Sequence, residues 1–386
     1  MSRPRVAVIG AGAIGMSAAM SAGELGARVT VLEQAHPAAG SSSLSLGVFN
    51  RQTPNLDELA LRISSVALLE RIAADGALPL ERDGYLRLAR RPEDVARFER
   101  TVAAQRELGY DGARVVDPDE LHRIVPDLEV GDLAGALYGA DDGTFDGHLV
   151  CAAYQARAEA FGARVIGRAT VVGADVRADG IVLRTAQGDV ACDRVINAAG
   201  PWAQKVGRLL GVECPLIVER HRVAMARVDP PLAYRMPVVN EYVPGSGESG
   251  LVLRQERSGG LLAMLHAHEA LGGDVVDPDT AARAVGLAYV EQVAERLASR
   301  LPALVDRLSL DEGWAGLYPI SPDGRFLVGP HDAEPRVIAA AGVGGVGITV
   351  SGAMGRLAAE WAVLGRADAF PFADALLPDR ESLRAP

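Results

Sequence analysis

The stretch that decides the fold is Arg5–Glu33, RVAVIGAGAIGMSAAMSAGELGARVTVLE. Val6, Val8 and Ile9 form a β-branched run suited to a strand, and it leads straight into Gly10-Ala11-Gly12-Ala13-Ile14-Gly15. Small and apolar positions then recur at helical spacing for about ten residues before Gly26 stops the helix. A second strand, Arg28–Leu32, ends on Glu33. Gly10 allows a tight turn, Gly12 lets backbone approach a pyrophosphate, and Gly15 lets helix and strand pack closely. The helix N-terminus offers unpaired N–H groups and a positive dipole end to phosphates. Glu33, 18 residues beyond Gly15, is placed to accept hydrogen bonds from ribose hydroxyls. Glycine triads alone also occur in structural βα turns; strand, glycines, helix, second strand and acid in register point to a dinucleotide site. The acid disfavours a ribose 2′-phosphate, leaving NAD and FAD, which the motif does not separate.

The bulk numbers narrow the rest. At 386 residues the chain is long enough for two domains, and 49% apolar with 23% charged residues is ordinary for a globular protein. With 39 basic and 50 acidic residues the net charge is −11, which argues against nucleic acid or an anionic membrane as partner. No uncharged apolar stretch reaches the roughly 18 residues of a membrane span. The first strand begins within five residues of Met1, leaving no room for a signal peptide. Cys151, Cys192 and Cys214 lack metal-ligand spacing and are odd in number, so reduced thiols in a cytoplasmic protein are expected, with no metal site. Lys205 is the only lysine.

Beyond Glu33, the loop GSSSLSLG (Gly40–Gly47) reads equally as a solvent loop or as hydroxyls and amides brought close to a phosphate or ring. Helices are predicted over Asn55–Ala74, Phe98–Leu108, a short segment opened by Asp117, and Asp146–Phe161. Short strands are predicted over Arg164–Ile166, Ala169–Val176, Ile181–Arg184 and Val190–Cys192. In RVINAAGPWAQK (Arg194–Lys205) a buried strand runs into Ala198-Ala199-Gly200, where only small residues allow close backbone approach. Strands over Glu219–Val228, Leu251–Arg254 and Leu261–His266 precede a long helix, Thr280–Ser299. Trp314–Gly329 reads as strand, Pro322-Asp323-Gly324 turn, strand. A strand at Val337–Ala341, a second glycine loop, Gly342–Gly347, and a helix over Ser351–Gly365 follow. Glycine loops near both ends suggest that the first and last segments meet around one cofactor, with inserted strands forming a second domain.

Read together, these stretches resemble the D-amino-acid oxidase/sarcosine oxidase family of FAD enzymes. The likeness rests on VAVIGAGAIG with Glu33, GSSS, RVINAAGPWA, GWAGLYPISPDGRFLVG and AAGVGGVGITVSGAMGRLAAE, in family order over most of the chain. YLRLARRPEDVARFE, VDPDELHRIVPDL and GADDGTFDGHLV look most like the sarcosine oxidase β-subunit and D-amino-acid dehydrogenase branch. The implied fold is α/β: a Rossmann-like FAD-binding domain (1–82, 146–214 and 320–386) with an inserted α+β substrate domain (83–145 and 215–319) on a mostly antiparallel sheet.

The resemblance implies FAD in an extended form. Gly10, Gly12, Ala13, Ile14 and Gly15 would hold the pyrophosphate, Glu33 and Gln34 the adenosine ribose, and Val171 the adenine. Ser41, Ser42 and Ser43 would lie near the ribityl and pyrophosphate groups, with Ala198, Gly200 and Trp202 packed close by. Gly342, Gly345, Val346, Gly347, Ile348 and Thr349 would surround the pyrimidine edge of the flavin, where N–H groups stabilise charge on the reduced ring. Relatives with a covalent flavin attach it through a cysteine; Gly316-Leu317-Tyr318 has none, which implies non-covalent FAD.

The implied reaction oxidises a C–N bond in an amino acid or a secondary or cyclic amine by hydride transfer to flavin N5, giving an imine. A substrate carboxylate needs a cation, and arginine's planar fork suits it. Where the dehydrogenase branch has an arginine after W-A-G-L, this chain has Tyr318, so Arg51, Arg222 and Arg254 become the candidates. His266 matches a histidine near the flavin in sarcosine oxidases, while His268 reads as exposed. A tyrosine common before the pocket is Val252 here. Leu262 and Thr349 stand where sarcosine-type oxidases place lysines, one of which assists superoxide formation, which implies slow reaction with oxygen and a dehydrogenase. Oxidation of a 2-hydroxy acid or other alcohol on the same fold, and a flavin-binding subunit whose substrate or electron path depends on partner chains, are the alternatives; a homo-oligomer or a partner subunit is left open.

Overall fold

The computed structural model describes residues 3–244, 246–247, 249–266 and 274–383. Arg5–Ile9 pairs in parallel with Arg28–Leu32 on one side and Arg194–Asn197 on the other. These three strands are the middle of a six-stranded sheet, ordered Leu327–Pro330, Val337–Ala341, Arg194–Asn197, Arg5–Ile9, Arg28–Leu32, Arg164–Ile166. Only the outermost Leu327–Pro330 runs antiparallel to its neighbour. Val6 and Val8 pack on one face and Ala7 and Ile9 on the other, both buried, which is why the strand reads as an unbroken apolar run.

The first face is covered by the helices Ala13–Glu24, Leu56–Ala74, Gly147–Ala160 and Ser351–Leu364. The first and last of these come from opposite ends of the chain and touch through backbone. A Cβ on Gly355 would fall 2.4 Å from Ser17 Oγ and 2.6 Å from the Ala18 nitrogen. The other face carries a small antiparallel sheet of Val171–Arg177, Gly180–Thr185 and Gly188–Cys192.

A second, nine-stranded sheet is mostly antiparallel. Its order is Asp274–Val275, Ile217–Val228, Leu261–His266, Gly250–Gln255, Val238–Asn240, Tyr85–Ala89, Gly135–Gly139, Ala113–Val116, with Leu308–Ile320 paired along Ile217–Val228. Side chains alternate between its faces. Leu86, Leu88, Leu251, Leu253 and Ala263 pack with the helix Leu287–Arg300 on one side. Tyr85, Val223, Val252, Leu262 and Met264 pack with Leu46 and Trp314 on the other. That second face looks toward the ends of the parallel strands. The architecture is thus the expected α/β one, a Rossmann-like layer joined to a substrate layer on a mostly antiparallel sheet.

Cap residues fix three of the predicted helix starts: Asn55, Asp117 and Asp146 each accept first-turn N–H groups through their side chains. Two boundaries differ from expectation. The helix predicted at Phe98 begins at Pro92, because Pro92, Glu93 and Asp94 form a helix-starting turn upstream of the apolar stripe. The helix predicted from Thr280 begins at Leu287, because Gly286 takes φ +86° and breaks any earlier turn. Gly355→Val inserts three carbons where backbone meets backbone, so it is expected to lower stability by about 1–3 kcal/mol. Urea unfolding checks this; an unmoved midpoint would show that the two helices are not in contact.

Candidate functional site

A cavity of about 490 Å³ lies between the ends of the parallel strands and the large sheet. The strand ends contribute Ile9, Leu32, Ala198 and Val343, and the large sheet contributes His221, Val223, Met264, Gly316 and Tyr318. Of the residues predicted for the cofactor, Gly10, Gly12, Ala13, Ile14, Glu33, Gln34, Ser41, Ser42, Val171, Ala198, Gly200, Trp202, Gly345, Gly347 and Ile348 all line it. The others stand behind the wall. Gly15 backs the turn, where a Cβ would lie 2.0 Å from the Gly10 carbonyl oxygen. Ser43 Oγ donates to the Gly40 carbonyl, and Thr349 Oγ1 donates to the Val48 carbonyl. Gly342 supplies a turn at φ +72° with a Cβ position against Leu327, and Val346 packs on the apolar core.

The glycine turn is held by its own acid. Glu33 is buried, and its two carboxylate oxygens accept the Ala11 N–H at 2.8 Å and the Ala35 N–H at 2.9 Å. Gly10 has φ +103° and would bring a Cβ to 2.4 Å from the Ala198 oxygen, so no side chain is tolerated there. Ser42 Oγ accepts the Ala13 N–H at 3.1 Å, joining the hydroxyl loop to the helix start. The rest of that loop is pinned to the large sheet. Ser41 Oγ donates to the Leu317 carbonyl at 2.7 Å, Trp314 Nε1 to the Leu44 carbonyl at 2.8 Å, and Arg254 Nη1 to the Leu46 carbonyl. Gly40–Gly47 is therefore a cavity wall and not a solvent loop.

The part of the cavity facing the large sheet is built around a histidine that the sequence did not single out as a site residue. His221 and Tyr318 lie on paired strands and stack with ring centroids 4.0 Å apart. His221 Nε2 is 3.0 Å from Oε2 of the fully buried Glu219. A carboxylate only accepts, so Nε2 carries the proton and Nδ1 is left as an acceptor. Burial outweighs the pull of Glu219 and lowers the imidazole's pKa, keeping the ring neutral. Burial also pushes the Tyr318 hydroxyl up to about 12. Gly345 gives Tyr318 room, since a Cβ there would sit 2.4 Å from the ring. His266 stands one layer back, edge-on to Tyr242 at 4.2 Å and 6.2 Å from His221. Burial first, then His221 and Arg87, lower its pKa to about 3. His268 lies outside the described residues.

None of the three predicted arginines lines the cavity. Arg51 is 4% exposed and points the other way, bonded to Glu70 at 2.8 Å and Asp142 at 3.2 Å beneath the Tyr110 ring. Arg222 sits between His221 and Val223 on one strand, so alternation turns it to the far face, over the Tyr289 ring and toward Asp274. Arg254 is on the cavity side, but its guanidinium is taken up by the Leu46 carbonyl and Glu256. Charge type alone could not separate these from a free cation, because burial and strand face decide it.

The family model described as DAO, FAD dependent oxidoreductase, matches residues 5–361. The chain belongs to that family. Mouse mitochondrial dimethylglycine dehydrogenase is 26% identical over 382 residues, covering 94% of this chain but 43% of that protein. Thus the chain spans less than half the length of the curated relative it matches. Glycine oxidase of Geobacillus kaustophilus is 25% identical, with 92% of each chain covered. Among solved structures, L-proline dehydrogenase from P. horikoshii superposes with TM-score 0.87 at 23% identity over 99% of this chain and 98% of the other. The residues fit the family's coenzyme. The bare Gly10 and Gly12 backbone, the start of helix Ala13–Glu24, where Gly12 offers no side chain to cap it, and the inward Glu33 are the donor and acceptor set that a dinucleotide with unmodified ribose needs. Among the described residues no helix is long and apolar enough to cross a membrane, and no His/Cys/Asp/Glu group could hold a metal. Cys151, Cys192 and Cys214 are free and buried, with thiols pushed up to about 12.

The depressed His266 predicts a pH effect. Below its ordinary 6.5 the unfolded chain takes up a proton that the folded chain refuses until about pH 3, so stability falls as pH drops through that window. His266→Gln is expected to flatten the fall by roughly a kcal/mol per pH unit, read from urea midpoints between pH 6.5 and 4. Identical slopes for both proteins would contradict it.

Proposed function

We propose that the chain oxidises the C–N bond of an N-alkyl, cyclic or other small amino acid with FAD held non-covalently in this cavity. The observation that carries the reading is that one cavity joins the Glu33 glycine turn to the stacked His221–Tyr318 pair and an apolar wall of Leu46, Val223 and Met264. The names of relatives, dimethylglycine dehydrogenase, glycine oxidase and L-proline dehydrogenase among them, support an amino-acid substrate. When bound, FAD supplies the hydride acceptor, N5, and the substrate is left as an imine that water hydrolyses.

The chain's own residues do the rest. Gly10, Gly12, Ala13 and Ile14 take the pyrophosphate, Glu33 and Gln34 the ribose, and Val171 the adenine. Ser41, Ser42, Ala198, Gly200 and Trp202 pack along the coenzyme, and Gly345, Gly347 and Ile348 face the pyrimidine edge. His221 accepts the amine proton at Nδ1 while Glu219 fixes the Nε2–H tautomer, so the substrate reacts as the free amine. Tyr318 forms the platform against which the reacting carbon is held. Segments 1–82, 146–214 and 320–386 make up the coenzyme half and 83–145 with 215–319 the substrate half. The reduced thiols favour a cytoplasmic location.

Mixing the FAD-loaded protein anaerobically with a panel of N-methyl, cyclic, D- and L-amino acids is expected to bleach the flavin with at least one class. Persistent yellow colour with every member would refute the reading. His221→Gln is expected to slow bleaching about 100-fold, with the loss shrinking at high pH where the amine deprotonates unaided. We also propose a dehydrogenase: Leu262 is buried among Leu46, Val223 and Met264, and Lys205 is held by Asp277 and Asp279. Reoxidation of the reduced protein by air should be slow; completion within milliseconds would show an oxidase.

A further inference from the structure

Residues 277–282 form an arch over one end of the cavity. The arch starts at an edge of the strand Ile217–Val228, where the Val276 N–H donates to the Val218 carbonyl at 2.9 Å. It ends on the neighbouring strand Leu308–Ile320, where the Ala315 N–H donates to the Arg283 carbonyl at 3.0 Å. Between these ties it crosses the paired stretch that carries His221 and Tyr318, and Asp279 and Arg283 line the cavity together with them.

None of residues 274–284 is buried, and the chain re-enters the core at Val285. Under the arch lies a recess of about 50 Å³, lined by Ser41, Leu44, Trp202, Pro278, Ala282 and Leu317. The arch's own backbone bonds make a single turn, in which the Thr280 and Ala281 N–H groups donate to the Asp277 carbonyl. Beyond its far end Gly286 takes φ +86°, a hinge position. Segments with so few buried apolar contacts open locally at the lowest cost. Two side chains of the Rossmann-like layer hold the arch from the opposite wall. Lys205 Nζ, on helix Ala203–Leu209, reaches Asp277 at 2.8 Å and Asp279 at 2.5 Å, and Trp202 Nε1 donates to Asp279 at 2.6 Å. Lys205 is 39% exposed and the two carboxylates 53% and 58%, so these pairs are weak and screened by salt, as suits a bolt more than a brace.

We propose that residues 277–282 are a gate over the His221–Tyr318 end of the cavity, bolted by Lys205, through which the ring system of FAD enters and leaves. The proposal rests on the FAD reading of the cavity for what passes through, but not for the bolt itself. It gives the chain's only lysine a task that touches neither the coenzyme nor the reacting atoms. The bolt's contacts are the same before and after loading, so it sets the rates of entry and exit and leaves the affinity alone.

The test uses the full chain. FAD uptake by the apoprotein and FAD release from the loaded protein are followed by flavin fluorescence in Lys205→Met, in Lys205→Arg and in the double variant Asp277→Asn/Asp279→Asn. Lys205→Met and the double variant should each speed uptake and release together by about tenfold, with the dissociation constant unchanged, and Lys205→Arg should stay near the unaltered protein. Sodium chloride at about 1 M should bring the unaltered protein toward the rates of Lys205→Met and leave that variant where it is. Unchanged rates in Lys205→Met overturn the proposal. So does a weaker affinity with release alone accelerated, which would make Lys205 a coenzyme contact, and so does a double variant that behaves as the unaltered protein. If the chain takes up no FAD, the coenzyme reading fails, and amide hydrogen exchange over residues 277–283 of the apoprotein still decides the bolt. Exchange about tenfold faster in Lys205→Met supports it, and equal exchange overturns it.

Discussion

The whole arrangement depends on how closely three backbones approach one another at Gly10. Its carbonyl meets Gly15, its missing side chain leaves room for Ala198, and its strand ends beside Glu33, whose carboxylate binds the Ala11 N–H. Any side chain there would push the first strand, the first helix and the Arg194–Asn197 strand apart. That crowding opens the helix start and the acid into the same space, so the turn forms part of the cavity wall. The last helix, seated on the first through Gly355, stabilises the turn from behind.

The second constraint is the period of two along the large sheet. It sends Glu219, His221 and Val223 to the cavity side and Arg220 and Arg222 to the other. It puts Tyr318 over His221, and Gly345 leaves the ring the space it needs. The hydroxyl loop closes the cavity because Ser41, Trp314 and Arg254 tie its carbonyls and hydroxyls to that sheet. The glycine turn with Glu33 and the stacked His221–Tyr318 pair are therefore two walls of one space, each contributed by a different sheet.

Much of this was legible beforehand where chemistry is local. The glycine turn, Glu33, the capped helices at Asn55, Asp117 and Asp146, and the glycine loop after Ala341 all carry their meaning in a few consecutive residues. The polar cluster was not legible, because His221 acquires its role from Glu219 on its own strand and from Tyr318 on a partner, a pairing across about a hundred residues of chain. Arg51, Arg222 and Arg254 misled for the same reason: an arginine's task is set by the carboxylate or carbonyl that folding places beside it. The Thr280 helix start failed on a local signal, the positive φ of Gly286, that the apolar stripe overrode.

The central claim is that this space takes FAD through the glycine turn and Glu33. Titration of the apoprotein with FAD and with NAD, followed by quenching of flavin fluorescence and by calorimetry, addresses it most directly. The account predicts one FAD per chain, no comparable NAD binding, and an FAD affinity at least about tenfold weaker in Glu33→Ala, equivalent to one lost charged hydrogen bond. Tight NAD binding without FAD binding, or a Glu33→Ala protein that holds FAD as firmly as before, would contradict it.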